Sequence, residues 1–147
     1  MQIKEIQTSD TACLMEAARL VSEYSWGVSY PVLPIDEIKQ AQYRVGAFQG
    51  DLLVAFGTVG RGFSPDTLDN QELWLAHGVV IPEFRKQGLF AVIYEKQLDY
   101  AISQYGRILS CTDNPLIEQF ILKRGWKKLR TTQDESGGSS IVYEFRR

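Results

Sequence analysis

Between Glu72 and Gln104 an apolar run, ELWLAHGVVI, stops at a proline, turns through EFRKQG and enters LFAVIYEKQLDYAISQ. A run with so few polar breaks suits a central strand covered on both faces. Pro82 has no N–H for a ladder and closes it. From Gly88 onward, Leu89/Phe90, Ile93/Tyr94, Leu98, Ala101/Ile102 and Tyr105 recur every three or four residues, the period of one helix face. RILSCT follows as a short strand. Strand, long helix and strand in this order form a crossover unit, so the two strands are expected to lie parallel.

The flanking segments add an antiparallel frame. IKEI alternates as a strand, and Ser9 is the predicted N-cap of a helix with Leu14, Ala17, Ala18 and Val21 on one face, ending near Tyr24. WGVSYPVLP reads as a loop into a short helix, IDEIKQ. YRVGAF and LLVAFGTV, joined by QGDL, predict a hairpin, and GRGFSPDTLDNQ is a turn-rich connection. Asn114 and Pro115 open a helix lined by Leu116, Ile117, Phe120 and Ile121, with Gly125 as its C′ glycine. WKKLRTT and SIVYEF, joined by QDESGGS, predict a last antiparallel pair. The expectation is one α+β domain over residues 1–147, with a mixed, mostly antiparallel seven-stranded sheet and about four helices.

Composition narrows the function classes. A chain of 147 residues with 44% hydrophobic and 23% charged residues is sized and balanced for one globular domain. A net charge of -2 gives no general attraction for nucleic acid or an anionic membrane. Cys13, Cys111 and His77 are too few and too scattered for a zinc site, so no metal is expected. MQIKEIQTSD lacks the apolar core of a signal peptide, and LWLAHGVVI is about half the ~20 residues of a membrane helix, so the expected location is cytoplasmic. A homodimer is left open. GTVGRG lacks the helix of a dinucleotide site, and neither a phosphate-loop motif nor a G-x-S-x-G elbow occurs.

The turn PEFRKQGLF has two readings: a solvated basic turn before a helix, or an anion cradle. The second follows because first-turn amides have no partner within a helix and the dipole favours negative charge. Gly88 admits a close ligand, and Arg85 and Lys86 add charge.

VVIPEFRKQGLF resembles the acyl-CoA signature of the GCN5-related N-acetyltransferases: V-x-P, then Arg or Gln, two residues, Gly, one residue, and Gly or Ala. Val80, Pro82, Arg85 and Gly88 match in register, whereas Phe90 replaces the last small residue. The family's second motif, Asn, an amphipathic helix and a Gly-aromatic pair, is matched by Asn114 and Gly125-Trp126. The resemblance implies acetyl transfer from acetyl-CoA to an amine by direct attack in a ternary complex. It places pyrophosphate on the amides of Lys86, Gln87, Gly88, Leu89 and Phe90, with the Arg85 or Lys86 side chain nearby. Pantetheine would lie along Val80 and Ile81, with Asn114 as either a pantetheine contact or simply a helix cap. Glu72 and His77 are the candidate bases, on opposite faces if their strand is regular. The family's acid, a tyrosine, falls on Ile121, leaving water, Ser110 or Cys111 as substitutes. Trp26, Tyr30 and Phe63, with Asp36, Glu37, Asp66 and Asp69, are candidate acceptor contacts. Ile121 also motivates the alternative of a protein that binds acyl-CoA or another phosphorylated ligand without turnover.

Overall fold

The structure is a computed structural model that describes residues 1–25, 32–134 and 137–147. Strands β1 (Gln2–Glu5), β2 (Tyr43–Gln49), β3 (Leu52–Gly60), β4 (Leu73–Val80), β5 (Arg107–Thr112), β6 (Lys127–Gln133) and β7 (Ser139–Arg146) form one sheet in the order β1-β2-β3-β4-β5-β7-β6. The β4–β5 pair is parallel and the others antiparallel, the mixed α+β arrangement expected from the sequence. Four helices accompany it: α1 (Thr11–Tyr24), α2 (Ile35–Gln40), α3 (Leu89–Gln104) and α4 (Pro115–Leu122). Pro82–Phe84 make a short 3-10 turn after β4. Among the described residues no helix is long and apolar enough to cross a membrane.

The apolar period of α3 buries Leu89, Ile93, Tyr94, Leu98 and Ala101. Gly57 lets α3 lie close on β3, because a Cβ there would stand 2.7 Å from the Gln97 amide and 2.8 Å from Ile93 Cγ2. α4 ends as expected: Gly125 takes φ 93°, its N–H donates to Leu122, and the Trp126 N–H donates to Ile121. α1 corrects the sequence reading by one residue. Asp10, not Ser9, is the N-cap, and its carboxylate accepts from the Cys13 N–H at 3.1 Å. Arg44 is buried on β2 and donates to the carbonyls of Ile38 (3.3 Å) and Ala41 (2.5 Å) at the C-terminal end of α2. Its charge complements that end of the helix and fixes α2 on the sheet.

β4 is not regular, which corrects the opposite-face argument for Glu72 and His77. Pairing with β3 runs from Thr58↔Ala76 to Phe56↔Val79, so His77 and Gly78 together face Gly57 in a bulge. His77 adopts φ 55°, the left-handed region in which a non-glycine residue is strained. Gln97 of α3, 5% exposed, donates its side-chain amide to Thr58 O (2.8 Å) and Ala76 O (3.1 Å) across this interruption. Two predictions follow from this packing. Gly57→Ala should lower stability by about 1–3 kcal/mol through overpacking. Gln97→Leu should cost about 1–3 kcal/mol by leaving buried carbonyls unpaired. Urea unfolding monitored by tryptophan fluorescence reads both, and wild-type midpoints would contradict the packing described.

Candidate active site

The parallel pairing of β4 with β5 covers only Leu73↔Ile108 and Trp74↔Leu109. The Ser110 hydroxyl donates to the Leu75 carbonyl at 3.1 Å just beyond the last pair. β5 then continues beside β7 to Thr112, while β4 continues beside β3 to Val80, so a gap opens between them. The Ile81 N–H donates to Val54 on β3. By strand alternation, Val80 directs its N–H away from β3 into the gap, while its C=O takes the Arg85 guanidinium. The gap is therefore edged by backbone groups able to pair with an extended ligand.

At the end of this edge lies the basic turn. The Arg85 guanidinium donates to Val80 O (2.9 Å) and Tyr24 O (3.2 Å), so Arg85 braces the end of β4 against the end of α1. Lys86, Gln87 and Gly88 are exposed, with Lys86 at φ 63° and Gly88 at φ 82°. Gln87 donates to Glu83 O at 3.4 Å. Gly88 is the N-cap of α3; a Cβ there would meet nothing within 4 Å, and no acidic residue occupies the first turn. The first helical bond comes from Val92 to Gly88 O, so the amides of Leu89, Phe90 and Ala91 precede the helical ladder. This is a positive helix end with room for an anion.

Phe90 packs its ring against the face of β4. It lies 3.5 Å from where a Cβ on Gly78 would be and meets Phe120 of α4 edge-on at 5.0 Å. The Arg124 guanidinium caps Phe120 at 3.5 Å from the ring centroid. Asn114 is the N-cap of α4, its side-chain oxygen accepting from the Leu116 N–H at 2.8 Å. Ile121 is 5% exposed, in one apolar cluster with Leu98, Trp126 and Tyr143.

The two candidate bases stand apart. Glu72 lies one residue before β4 and is ion-paired with Arg107 at 3.4 Å. The side chain of His77 is 4% exposed, with Nδ1 2.7 Å from the Thr58 hydroxyl and Nε2 3.0 Å from Glu37 Oε2. The Phe63 ring packs edge-on against the imidazole at 5.0 Å. Two of the acceptor-side carboxylates are engaged elsewhere. Arg130 binds Asp66 through two nitrogens (2.8 and 2.9 Å) and Asp69 through a third (2.8 Å). Arg107 joins Asp69 (3.3 Å) and Glu144 (2.7 Å) to this network. Trp26 and Tyr30 lie outside the described residues. Burial pushes the thiols of Cys111 and Cys13 up, which does not suit either to act as a nucleophile. The bonds made by Gln97, Thr58 and Arg44 and the ring contacts of Phe120 are features that the sequence reading did not anticipate. Each acts through a partner distant in sequence; only a polar residue, Gln97, on the buried stripe of α3 gave a signal. Among the described residues no group of three or more His, Cys, Asp or Glu is arranged to hold a metal.

No protein-family model and no curated protein matches the sequence. Solved structures do match the fold over essentially the whole chain. Ribosomal-protein-alanine N-acetyltransferase from Brucella melitensis superposes with a TM-score of 0.74 at 13% identity, covering 100% of both chains. The aminoglycoside 6'-N-acetyltransferase from Enterococcus faecium gives 0.73 at 16% identity, covering 99% of this chain and 97% of that one. Rv2747 from Mycobacterium tuberculosis, in complex with CoA and NLQ, gives 0.69 at 14% identity, covering 100% and 99%.

The arginine network has a pH signature. The Arg130 guanidinium bonded to Asp66 holds that carboxyl far below the usual range; at Asp69 burial pushes upward, and bonds from Arg130 and Arg107 outweigh it. Both folded values are depressed. Their stabilisation is therefore full above the ordinary carboxylate pKa of about 4 and is lost as pH falls below it. The urea midpoint should drop between pH 6 and pH 3, and by clearly less in Arg130→Met; equal drops in both proteins would contradict the network's role.

Proposed function

We propose that this chain, whose fold is that of the GCN5-related N-acetyltransferases, transfers an acetyl group from acetyl-CoA to a primary amine. The observation that carries this reading is the continuity of the gap with the turn. The edge of β4 that β5 leaves beyond Trp74 leads through the Val80 N–H to the Gly88 helix end, and no acidic side chain stands in the first turn. A ligand with an extended, amide-bearing arm and a diphosphate has the chemistry to fit both.

In this reading the amides of Lys86 to Phe90 receive the pyrophosphate, with Lys86 supplying charge from solvent. Arg85 serves the site by holding Val80 in place, since its guanidinium already binds two carbonyls. Pantetheine pairs with the β4 edge at the Val80 N–H; Ile81 is corrected as a contact, because its N–H goes to Val54 and its C=O takes the Phe84 N–H. Asn114 acts as the cap that sets the start of α4 beside the gap. The acceptor ammonium first loses a proton to solvent water. The neutral nitrogen then attacks the thioester carbonyl, the C–N bond forms, the C–S bond breaks, and the amide nitrogen's extra proton also passes to water. The Val80 N–H, directed into the gap, is the backbone donor for the developing oxyanion. Ile121 has no proton to give, so the leaving thiolate takes its proton from water. The low pKa of a thiol makes that step less demanding than loss of an amine or alcohol.

A second reading, binding of acyl-CoA without turnover, is favoured by two specific residues. Ile121 stands in the acid's place, and Phe90 sets a bulky ring against β4 at Gly78. Calorimetry with CoA and thiol release during a primary-amine screen separate the two. Binding with turnover supports the transferase; binding with no amine above background supports the second reading; no binding removes both. Gly88→Glu should weaken CoA binding at least about tenfold, one carboxylate now opposing the diphosphate. Phe90→Ala should tighten it by removing that ring. Unchanged affinity in both variants would contradict the assignment of this turn.

A further inference from the structure

The structure assigns Glu37, held by His77, as the carboxylate that receives the acceptor's ammonium group; this rests on the acetyltransferase reading of the gap. His77 is the bulge residue of β4, and its imidazole places Glu37 Oε2 3.0 Å away, beside the strand that edges the gap. The imidazole itself is shielded, with 4% of its side chain exposed, whereas the Glu37 side chain is 55% exposed. His77 is thus a positioning residue, and Glu37 is the group a ligand can touch.

The hydrogen-bond network sets the direction of that contact. The Glu37 carboxylate can only accept from the imidazole, and the Thr58 hydroxyl meets His77 Nδ1 at 2.7 Å. The ring proton then belongs on Nε2, where it donates to Glu37. The hydrogen bond from His77 holds the Glu37 carboxyl below the usual carboxylate range, keeping it charged. One carboxylate oxygen takes the imidazole N–H, and the other is the acceptor for an ammonium. Asp66, Asp69, Glu72 and Glu144 differ, because each is bound to a guanidinium that already offsets its charge. Arg44, at the far end of α2, fixes the helix that carries Glu37. Phe63 adds an apolar wall on the imidazole. A charged amine carried on a hydrocarbon body is the ligand that suits this combination.

His77 is the one histidine in the chain, so spectra of protein labelled with 15N-histidine report it alone. Butylammonium chloride should shift the imidazole nitrogens saturably, whereas 1-butanol and sodium chloride at matched ionic strength should not. Glu37→Gln should abolish the shift while leaving CoA affinity unchanged. No shift in the wild type, or the same shift in Glu37→Gln, overturns the assignment. With any amine that is turned over, Glu37→Gln should raise the amine KM by about tenfold or more and leave the acetyl-CoA KM unchanged. His77→Asn, a residue that tolerates positive φ, should move the same KM in the same direction. Equal changes in both KM values would also overturn it. A saturable, Glu37-dependent shift with no amine turned over would keep the ammonium site and remove the acetyltransferase reading instead.

Discussion

Two hydrogen bonds from one side-chain amide hold the interruption in β4. Gln97 reaches from α3 to the carbonyls of Thr58 and Ala76, where the β3–β4 ladder loses its regular partners. Left unpaired, such buried carbonyls would each cost about 1–3 kcal/mol. With them satisfied, His77 can occupy its left-handed conformation and Gly78 can pass the Phe90 ring. Beyond this point β4 belongs to β3 alone, and its other edge is left to a ligand. Gly57 is the complementary constraint, since α3 cannot bring Gln97 to the bulge unless β3 has no side chain there.

The same bulge organises both sides of the proposed reaction. Toward the donor, Val80 faces the gap and leads through Arg85 to the helix end at Gly88. Toward the acceptor, His77 projects to Thr58 and Glu37. The arginine network stands apart from this chemistry. Arg107 and Arg130 tie the connection after β3 to β5, β6 and β7, so the second half of the sheet keeps its place although β4 and β5 share only two paired positions.

Much of the fold was legible because its long elements carry strong periods. The apolar stripe of α3, the Asn114-Pro115 start of α4 and the glycine that ends it each encode local geometry directly. The one-residue error at the start of α1 has a local cause: Ser9 and Asp10 are both good caps, and only the bond to Cys13 distinguishes them. The bulge was not legible, because the positive φ falls on His77 and not on the neighbouring Gly78. For the same reason Glu72 and His77 were given faces by counting along a regular strand. The partners of Arg85, Asp66 and Asp69 were not legible for a different reason. Their partners lie far away in sequence, and a charge that looks available in a turn is already bound in the fold. Phe90, which breaks the family pattern, turned out to pack with Phe120.

We place CoA along the free edge of β4, ending on the amides that open α3. Amide hydrogen exchange with and without CoA addresses it at single residues. Bound in this way, CoA should slow exchange at Val80 and at Leu89, Phe90 and Ala91 and leave β1 and β2 unchanged. Unaltered exchange at those amides in the presence of saturating CoA, or protection confined to another part of the sheet, would contradict it.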